Sequence, residues 1–154
     1  MQTIGELTKP RKALVILSGG QDSTTCLYWA LARFEEVHAV TYDYGQRHIR
    51  ELEAAAIVAE RAGIEARHYF CKVGKILVGS SPLVSDNDLE QYANMNSLPG
   101  GLEKTFVPGR NLLFLTLAAN LAYSHGITDL VTGVCEEDYG GYPDCREEFI
   151  ALVK

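Results

Sequence analysis

The segment SGGQDS, Ser18 to Ser23, could hold an anion. Two adjacent glycines allow a ligand close to the backbone, and successive amides at the start of a following helix add partial positive charge. A phosphate chain suits such a cradle. An ordinary Gly-Gly turn with Asp22 or Ser23 as helix cap would use the same residues. Neither G-x-G-x-x-G nor G-x-x-x-x-G-K-[ST] occurs, so the loop is neither a dinucleotide fingerprint nor a Walker loop.

Three further segments carry reactive or recognising groups. In VPGRN, Pro108 and Gly109 shape the start of an apolar helix and place Arg110 and Asn111 at its N-terminus. A guanidinium there can grip phosphate oxygens in pairs, and Arg110 is read as a phosphate ligand rather than as the partner of a surface carboxylate. DYGQRH, Asp43 to His48, joins a turn glycine to donors, an acceptor and an aromatic ring, suiting a purine-like ring or a phosphate. Gln46 and Arg47 are the binding residues expected from it, and His48 is read as a solvated residue at a helix start. EEDYGGYPDCR, Glu136 to Arg146, interleaves acids with Tyr139, Tyr142 and Arg146 in a loop bearing glycine and proline. Asp144 could accept hydrogen bonds from a guanine-like amine and ring NH, a tyrosine could stack on the ring, and Arg146 could neutralise a carboxylate. Glu136, Glu137, Glu147 and Glu148 are read as solvated or helix-start acids.

The elements that position these groups alternate. Ala13 to Leu17 is apolar without interruption, as in a strand covered on both faces. Ser23 to Arg33 follows as a helix with Cys26, Leu27, Ala30 and Leu31 on one stripe. Val37 to Tyr42 predicts a second strand, Glu51 to Ala62 a helix stopped by Gly63, and Ala66 to Phe70 a third strand. Between Ser80 and Lys104 turn residues accumulate, and a long loop, covering or disordered, is expected. Asn111 to Tyr123 predicts a helix stopped by Gly126, Asp129 to Val134 a fourth strand, and the last eight residues another helix. Such alternation implies a doubly wound parallel sheet with helices on both faces, which binds ligands beyond the carboxyl ends of its strands. The three loops SGGQDS, DYGQRH and CEEDYGGYPDCR all fall at those ends.

Composition bounds the function. The chain has 154 residues, 47% of them hydrophobic, enough for one domain; 20 acidic against 14 basic residues give a net charge of -6. That balance opposes general affinity for nucleic acid or an anionic membrane. No apolar run approaches the roughly 18 residues of a membrane span, and no secretory stretch is seen near the start, so a cytoplasmic location is expected. The four cysteines, Cys26, Cys71, Cys135 and Cys145, are scattered without a CxxC pair and are expected to be reduced.

SGGQDS resembles the pyrophosphate-binding loop SGGxDS of the N-type ATP pyrophosphatases, which transfer AMP to a substrate oxygen. VTYDYGQRH (Val40 to His48), FVPGRNLLFLTLAA (Phe106 to Ala119) and GVCEEDYGGYPDCREEF (Gly133 to Phe149) narrow the likeness to the 7-cyano-7-deazaguanine synthase family of the queuosine pathway. The resemblance implies an adenine nucleotide alpha hydrolase-like domain over residues 12–154, after an N-terminal extension of residues 1–11. It implies ATP binding by Leu17, Ser18, Gly19, Gly20, Gln21, Asp22, Ser23, Thr24, Gln46, Arg47, Arg110, Asn111 and Gly133. Asp22, next to magnesium, and Arg110 would act in catalysis, with Tyr142, Asp144 and Arg146 on the substrate. The implied reaction joins 7-carboxy-7-deazaguanine and ammonia at the expense of ATP, with no nucleic acid or membrane partner and a homodimer as the assembly to test. The family's zinc-binding cysteines, spaced C-x8-C-x2-C-x2-C, have no counterpart before Lys154, so a C-terminally incomplete domain is expected. An adenylating tRNA-modifying ligase of the same superfamily, or an inactive ATP-binding module, is the alternative.

Overall fold

The computed structural model describes residues 10–45, 50–74, 76–77, 106–134 and 142–153. The expected loop from Ser80 to Lys104, together with Gln46, Arg47, His48 and residues 135–141, lies outside them.

Four strands form one parallel sheet: β1 (Lys12–Ile16), β2 (Glu36–Asp43), β3 (His68–Lys72) and β4 (Asp129–Val131), in the order β3-β2-β1-β4. The described α-helices are α1 (Gln21–Leu31), α2 (Arg50–Arg61), α3 (Arg110–Ser124) and α4 (Glu147–Val153), with 3-10 turns at Glu65–Arg67 and Pro143–Cys145. Alternation along the strands sorts the core into two layers. Val15, Leu17, Val37 and Ala39 face Leu27 and Ala30 of α1 and Ala55 and Ala59 of α2. Leu14, Val40 and Tyr42 face the opposite way, onto Ala118 and Ala122 of α3. Ala13, Leu14 and Val15 have no exposed surface, which is why the ALVIL run is apolar at every position rather than at alternate ones.

Small residues set the helix–sheet distance. Ala55 and Ala59, and Ala118 and Ala122, are one turn apart on the buried faces of α2 and α3. Both helices end on a glycine in the left-handed conformation, Gly63 at φ 69° and Gly126 at φ 64°. There the Ile64 N–H donates to the Ala59 carbonyl at 3.0 Å and the Ile127 N–H to the Ala122 carbonyl at 2.9 Å. Among the described residues no helix is long and apolar enough to cross a membrane.

Several expected boundaries shift. α1 begins at Gln21 rather than Ser23, so Gln21, Asp22 and Ser23 form its first turn and only Ser18 to Gly20 remain as loop. Glu65–Arg67 forms a 3-10 turn, which delays β3 to His68. β4 ends at Val131, where its pairing with Val15 stops, and Thr132 to Val134 turn away from the sheet.

A polar cluster sits at the other end of β1. The carboxylate of Glu36 accepts from Lys12 Nζ at 2.9 Å and meets His38 Nε2 at 2.6 Å. The contact with His38, then that with Lys12, draws the Glu36 carboxyl down from 4.5 to about 2. A lowered carboxyl favours the folded state above its unfolded pKa, and that contribution fades as pH falls through the lowered value. The melting temperature should therefore decline between about pH 4.5 and pH 2. Glu36→Gln should flatten that decline, as thermal melts of both proteins across this range would show; parallel curves would remove Glu36 from the acid response.

Candidate active site

In the sheet order β3-β2-β1-β4 the chain runs outward from β1 on one side and returns to β4 on the other. The crevice between the carboxyl ends of β1 and β4 is thus the switch point at which such sheets bind ligands. A cavity of about 320 Å³ opens there. Its floor is Ile16, Leu17 and Thr41; one wall is Ser18, Gly20, Asp22 and Ser23, and the facing wall is Arg110, Asn111 and Phe114. Thr132, Gly133 and Val134 close it from just beyond β4, Glu51 and Leu52 from α2, Tyr42 and Tyr44 from the carboxyl end of β2 and the residue after it, and Tyr142 and Cys145 from the turn before α4.

The glycine loop is held by its own serines. Ser23 is 7% exposed; its Oγ accepts from the Ser18 N–H at 3.2 Å and donates to the Gly20 carbonyl at 3.1 Å. The Ser18 and Ser23 hydroxyls meet at 3.0 Å, and the Gly20 N–H donates to Ser18 Oγ at 3.3 Å. Gly20, not Asp22 or Ser23, occupies the cap position of α1, and among the described residues no side chain caps it. The two glycines have different tasks. Gly19 has φ 84°, and a Cβ there would lie 2.5 Å from the Ala55 backbone nitrogen, so it packs on α2 instead of lining the cavity. Gly133 is also tight: a Cβ would meet the Asp22 carbonyl carbon at 3.1 Å and the Ser23 nitrogen at 3.2 Å. The segment leaving β4 is thereby pressed onto the first turn of α1.

The floor is tied across three strands. Thr41 Oγ1 donates to the Leu17 carbonyl at 2.6 Å and lies 2.7 Å from His68 Nε2. Since the threonine proton is committed to Leu17, His68 Nε2 must carry the hydrogen in the second contact. Burial pushes the His68 ring below its ordinary pKa, which keeps it neutral.

The opposite wall is aromatic and basic. Gly109, at φ 76°, turns the chain into α3 and places Arg110 at the first helical position. Phe114 stacks on Tyr42 with centroids 4.4 Å apart and tilts against Tyr44 at 5.3 Å, while the Tyr42 hydroxyl donates to the Phe114 carbonyl at 3.0 Å. Burial pushes the Tyr44 phenol up; the Arg110 guanidinium opposes the shift and Glu51 adds to it, so β2, α2 and α3 meet electrostatically at this point. Tyr142 is backed by Phe106, with ring centroids 5.5 Å apart. Burial, then the charge of Asp22, pushes the Cys26 thiol up, away from the reactive thiolate.

Of the residues expected from sequence, Leu17, Ser18, Gly20, Asp22, Ser23, Arg110, Asn111, Gly133 and Tyr142 converge on this cavity. Gly19, Gln21, Thr24, Asp144 and Arg146 do not line it. Asp144 is buried at 8% exposure, and its carboxylate faces the start of α3. Gln46 and Arg47 lie outside the described residues.

A family model described as "Queuosine biosynthesis protein QueC" matches residues 12–154. The chain belongs to the QueC family. It is 56% identical over 143 residues to a 7-cyano-7-deazaguanine synthase of Gloeobacter violaceus, covering 93% of this chain and 61% of that protein. The corresponding synthase of Bacillus subtilis is 47% identical over 142 residues, covering 92% of this chain and 62% of the relative. The chain thus spans about three fifths of the length of these curated relatives. In fold it is similar to a predicted subunit of tRNA methyltransferase from Methanocaldococcus jannaschii, with a TM-score of 0.54, 19% identity, and 93% of this chain and 62% of that one covered.

Sequence reading passed over some of the cavity of this QueC family member. Phe114 carried a signal, being one helical turn beyond Arg110 and so on the same face of α3. Thr41 carried none, since a threonine in a buried strand looks like any β-branched residue. Gly19→Ala should destabilise the fold by roughly 1–3 kcal/mol, the usual cost of overpacking, because backbone atoms of α2 block the methyl. Urea unfolding measures this; an unchanged midpoint would mean that the loop can lift off α2 freely.

Proposed function

We propose that this chain carries the ATP-binding and substrate-activating part of a 7-cyano-7-deazaguanine synthase. The observation supporting it most directly is the convergence of the Ser18–Ser23 loop, Arg110 and Tyr142 on one cavity, in a member of a family whose curated relatives bear that name.

ATP would lie with its phosphates across the backbone of the glycine loop and the first turn of α1, where amides and the helix dipole favour negative charge. Arg110 faces the loop from α3 and would take up charge on the leaving pyrophosphate. The carboxylate of 7-carboxy-7-deazaguanine would attack the α-phosphorus, forming an oxygen–phosphorus bond and releasing pyrophosphate. Ammonia would then add to the acyl carbon and expel AMP, giving the amide. The amide oxygen would then attack the α-phosphorus of a second ATP, releasing pyrophosphate, and leave as AMP with loss of both nitrogen-bound protons to give the nitrile. Neither stage needs a protein nucleophile; the chain's part is positioning and charge stabilisation. Tyr142 would stack on the deazaguanine ring, and Arg146, outside the lining but next in the chain to Cys145, would approach its carboxylate from the edge of the cavity.

Magnesium suits this wall. Asp22 supplies one carboxylate among hydroxyl and phosphate oxygens, the mixed donor set that a hard cation takes, and the ion would neutralise phosphate charge. Zinc does not suit the described residues: no group of three or more His, Cys, Asp or Glu converges among them, and Cys26 and Cys71 sit against opposite core layers.

The test is to incubate the protein with ATP, magnesium, ammonium and 7-carboxy-7-deazaguanine and to look for the nitrile by mass spectrometry. ATP binding without nitrile would favour an inactive nucleotide module, and nucleotide cleavage only with tRNA would favour a ligase acting on nucleic acid. Asp22→Asn should lower turnover by roughly tenfold or more, since an amide is a poor ligand for a hard cation. Arg146→Ala should raise KM for the deazaguanine acid by roughly ten- to a hundredfold, the worth of one charge-assisted hydrogen bond, and spare KM for ATP. Equal losses for both substrates would unseat Arg146.

A further inference from the structure

The start of α3 is a helix terminus without a cap of its own. Gly109 occupies the cap position and has no side chain to offer the first-turn amides. The missing acceptor comes from 33 residues further along the chain: Asp144 Oδ2 accepts the Asn111 N–H at 3.3 Å. The contact is returned, because Asn111 Nδ2 donates to the Asp144 carbonyl at 3.2 Å and to Cys145 Sγ at 3.4 Å. Asp144 and Cys145 are both 8% exposed, so the exchange takes place away from bulk water, where a carboxylate bound to an amide is strongest. Arg110 lies immediately before Asn111, and Tyr142 two residues before Asp144; both line the cavity.

We infer that Asp144 is a positioning residue: its carboxylate caps α3 from outside the helix and locks the Tyr142–Cys145 turn to the segment that carries Arg110. The two halves of the cavity, one placed for phosphate and one for the ring, are thereby held in fixed register. The effect of this lock on turnover rests on the ATP-dependent reading above, whereas the capping contact can be measured without it. Asp144→Asn would still offer the Asn111 N–H an acceptor, the amide oxygen. A carboxylate that instead received both the amine and the ring NH of a guanine-like ligand would not survive that change, because one of its two acceptors would become a donor.

The experiment compares Asp144→Ala and Asp144→Asn with the unaltered protein in amide hydrogen exchange, MgATP titration and steady-state turnover. Asp144→Ala should speed exchange of the Asn111 amide by roughly three- to thirtyfold, the range for a lost helix cap, while amides of β1 and β2 keep their protection. It should also weaken MgATP binding and raise KM for ATP, and Asp144→Asn should restore all three. If Asp144→Ala proves too unstable to purify, the unaltered protein decides: relative to their intrinsic rates, the Asn111 amide should exchange several-fold more slowly than the first-turn amide of Leu112, and equal rates would overturn the inference. Unchanged Asn111 exchange in Asp144→Ala, with both Asp144 variants raising only KM for the deazaguanine acid, would overturn the inference and make Asp144 a substrate contact. If the unaltered protein fails to bind ATP, the functional reading falls, yet the exchange of Asn111 still decides whether Asp144 caps α3.

Discussion

Strand β1 is hydrogen-bonded on both edges and covered on both faces. β2 and β4 flank it, α1 and α3 press on it from opposite sides, and Ala13, Leu14 and Val15 are sealed from solvent. A segment so enclosed has no freedom at its carboxyl end, so Leu17 and Ser18 leave the sheet at a fixed point and in a fixed direction. The cavity opens beside that point because β2 and β4 approach β1 through crossovers on opposite faces and their ends diverge. Every group lining it is therefore referred, through one or two contacts, to the position of β1.

The glycine loop adds stiffness of a different kind. Its hydroxyls bond to its own backbone, so Ser18 and Ser23 shape the cradle as well as facing the cavity. Thr41 and His68 support it from below through the Leu17 carbonyl, and α2 supports it from the side through Gly19. A cradle built in this way spends little ordering entropy when an anion arrives. On the facing wall, rings are stacked on rings, Phe114 on Tyr42 and Phe106 on Tyr142, so that side also presents a formed surface.

The layered plan was legible from residue types because the signals were redundant. An unbroken apolar ALVIL, the stripe of Cys26, Leu27, Ala30 and Leu31, and glycines after α2 and α3 all point to the same alternation. The rule that ligands lie beyond strand ends then gathers three distant loops into one place. What could not be read were the choices between equivalent partners. A serine after two glycines can cap a helix or staple a loop, and only the geometry at Gly20 shows the second. Asp144 has the chemistry to bind a guanine-like edge and equally the chemistry to cap a helix; the deciding neighbour, Asn111, is far away in the chain. Gly19 and Gly20 are indistinguishable in sequence, yet one meets a helix backbone and the other the cavity. Boundaries slipped for a related reason: β4 ends at its last pairing with β1, Val131 with Val15, and pairing between distant strands is not written in the residues that follow Val131.

The cluster of Lys12, Glu36 and His38 lies at the opposite pole of β1 from the glycine loop, five strand residues away at about 3.3 Å each. Protonation at that foot and occupancy at the crevice share no side chain. Their influences on the folding equilibrium are consequently separate increments: acid erodes one end of the molecule, an occupant of the cavity would ballast the other, and neither would read the other's state.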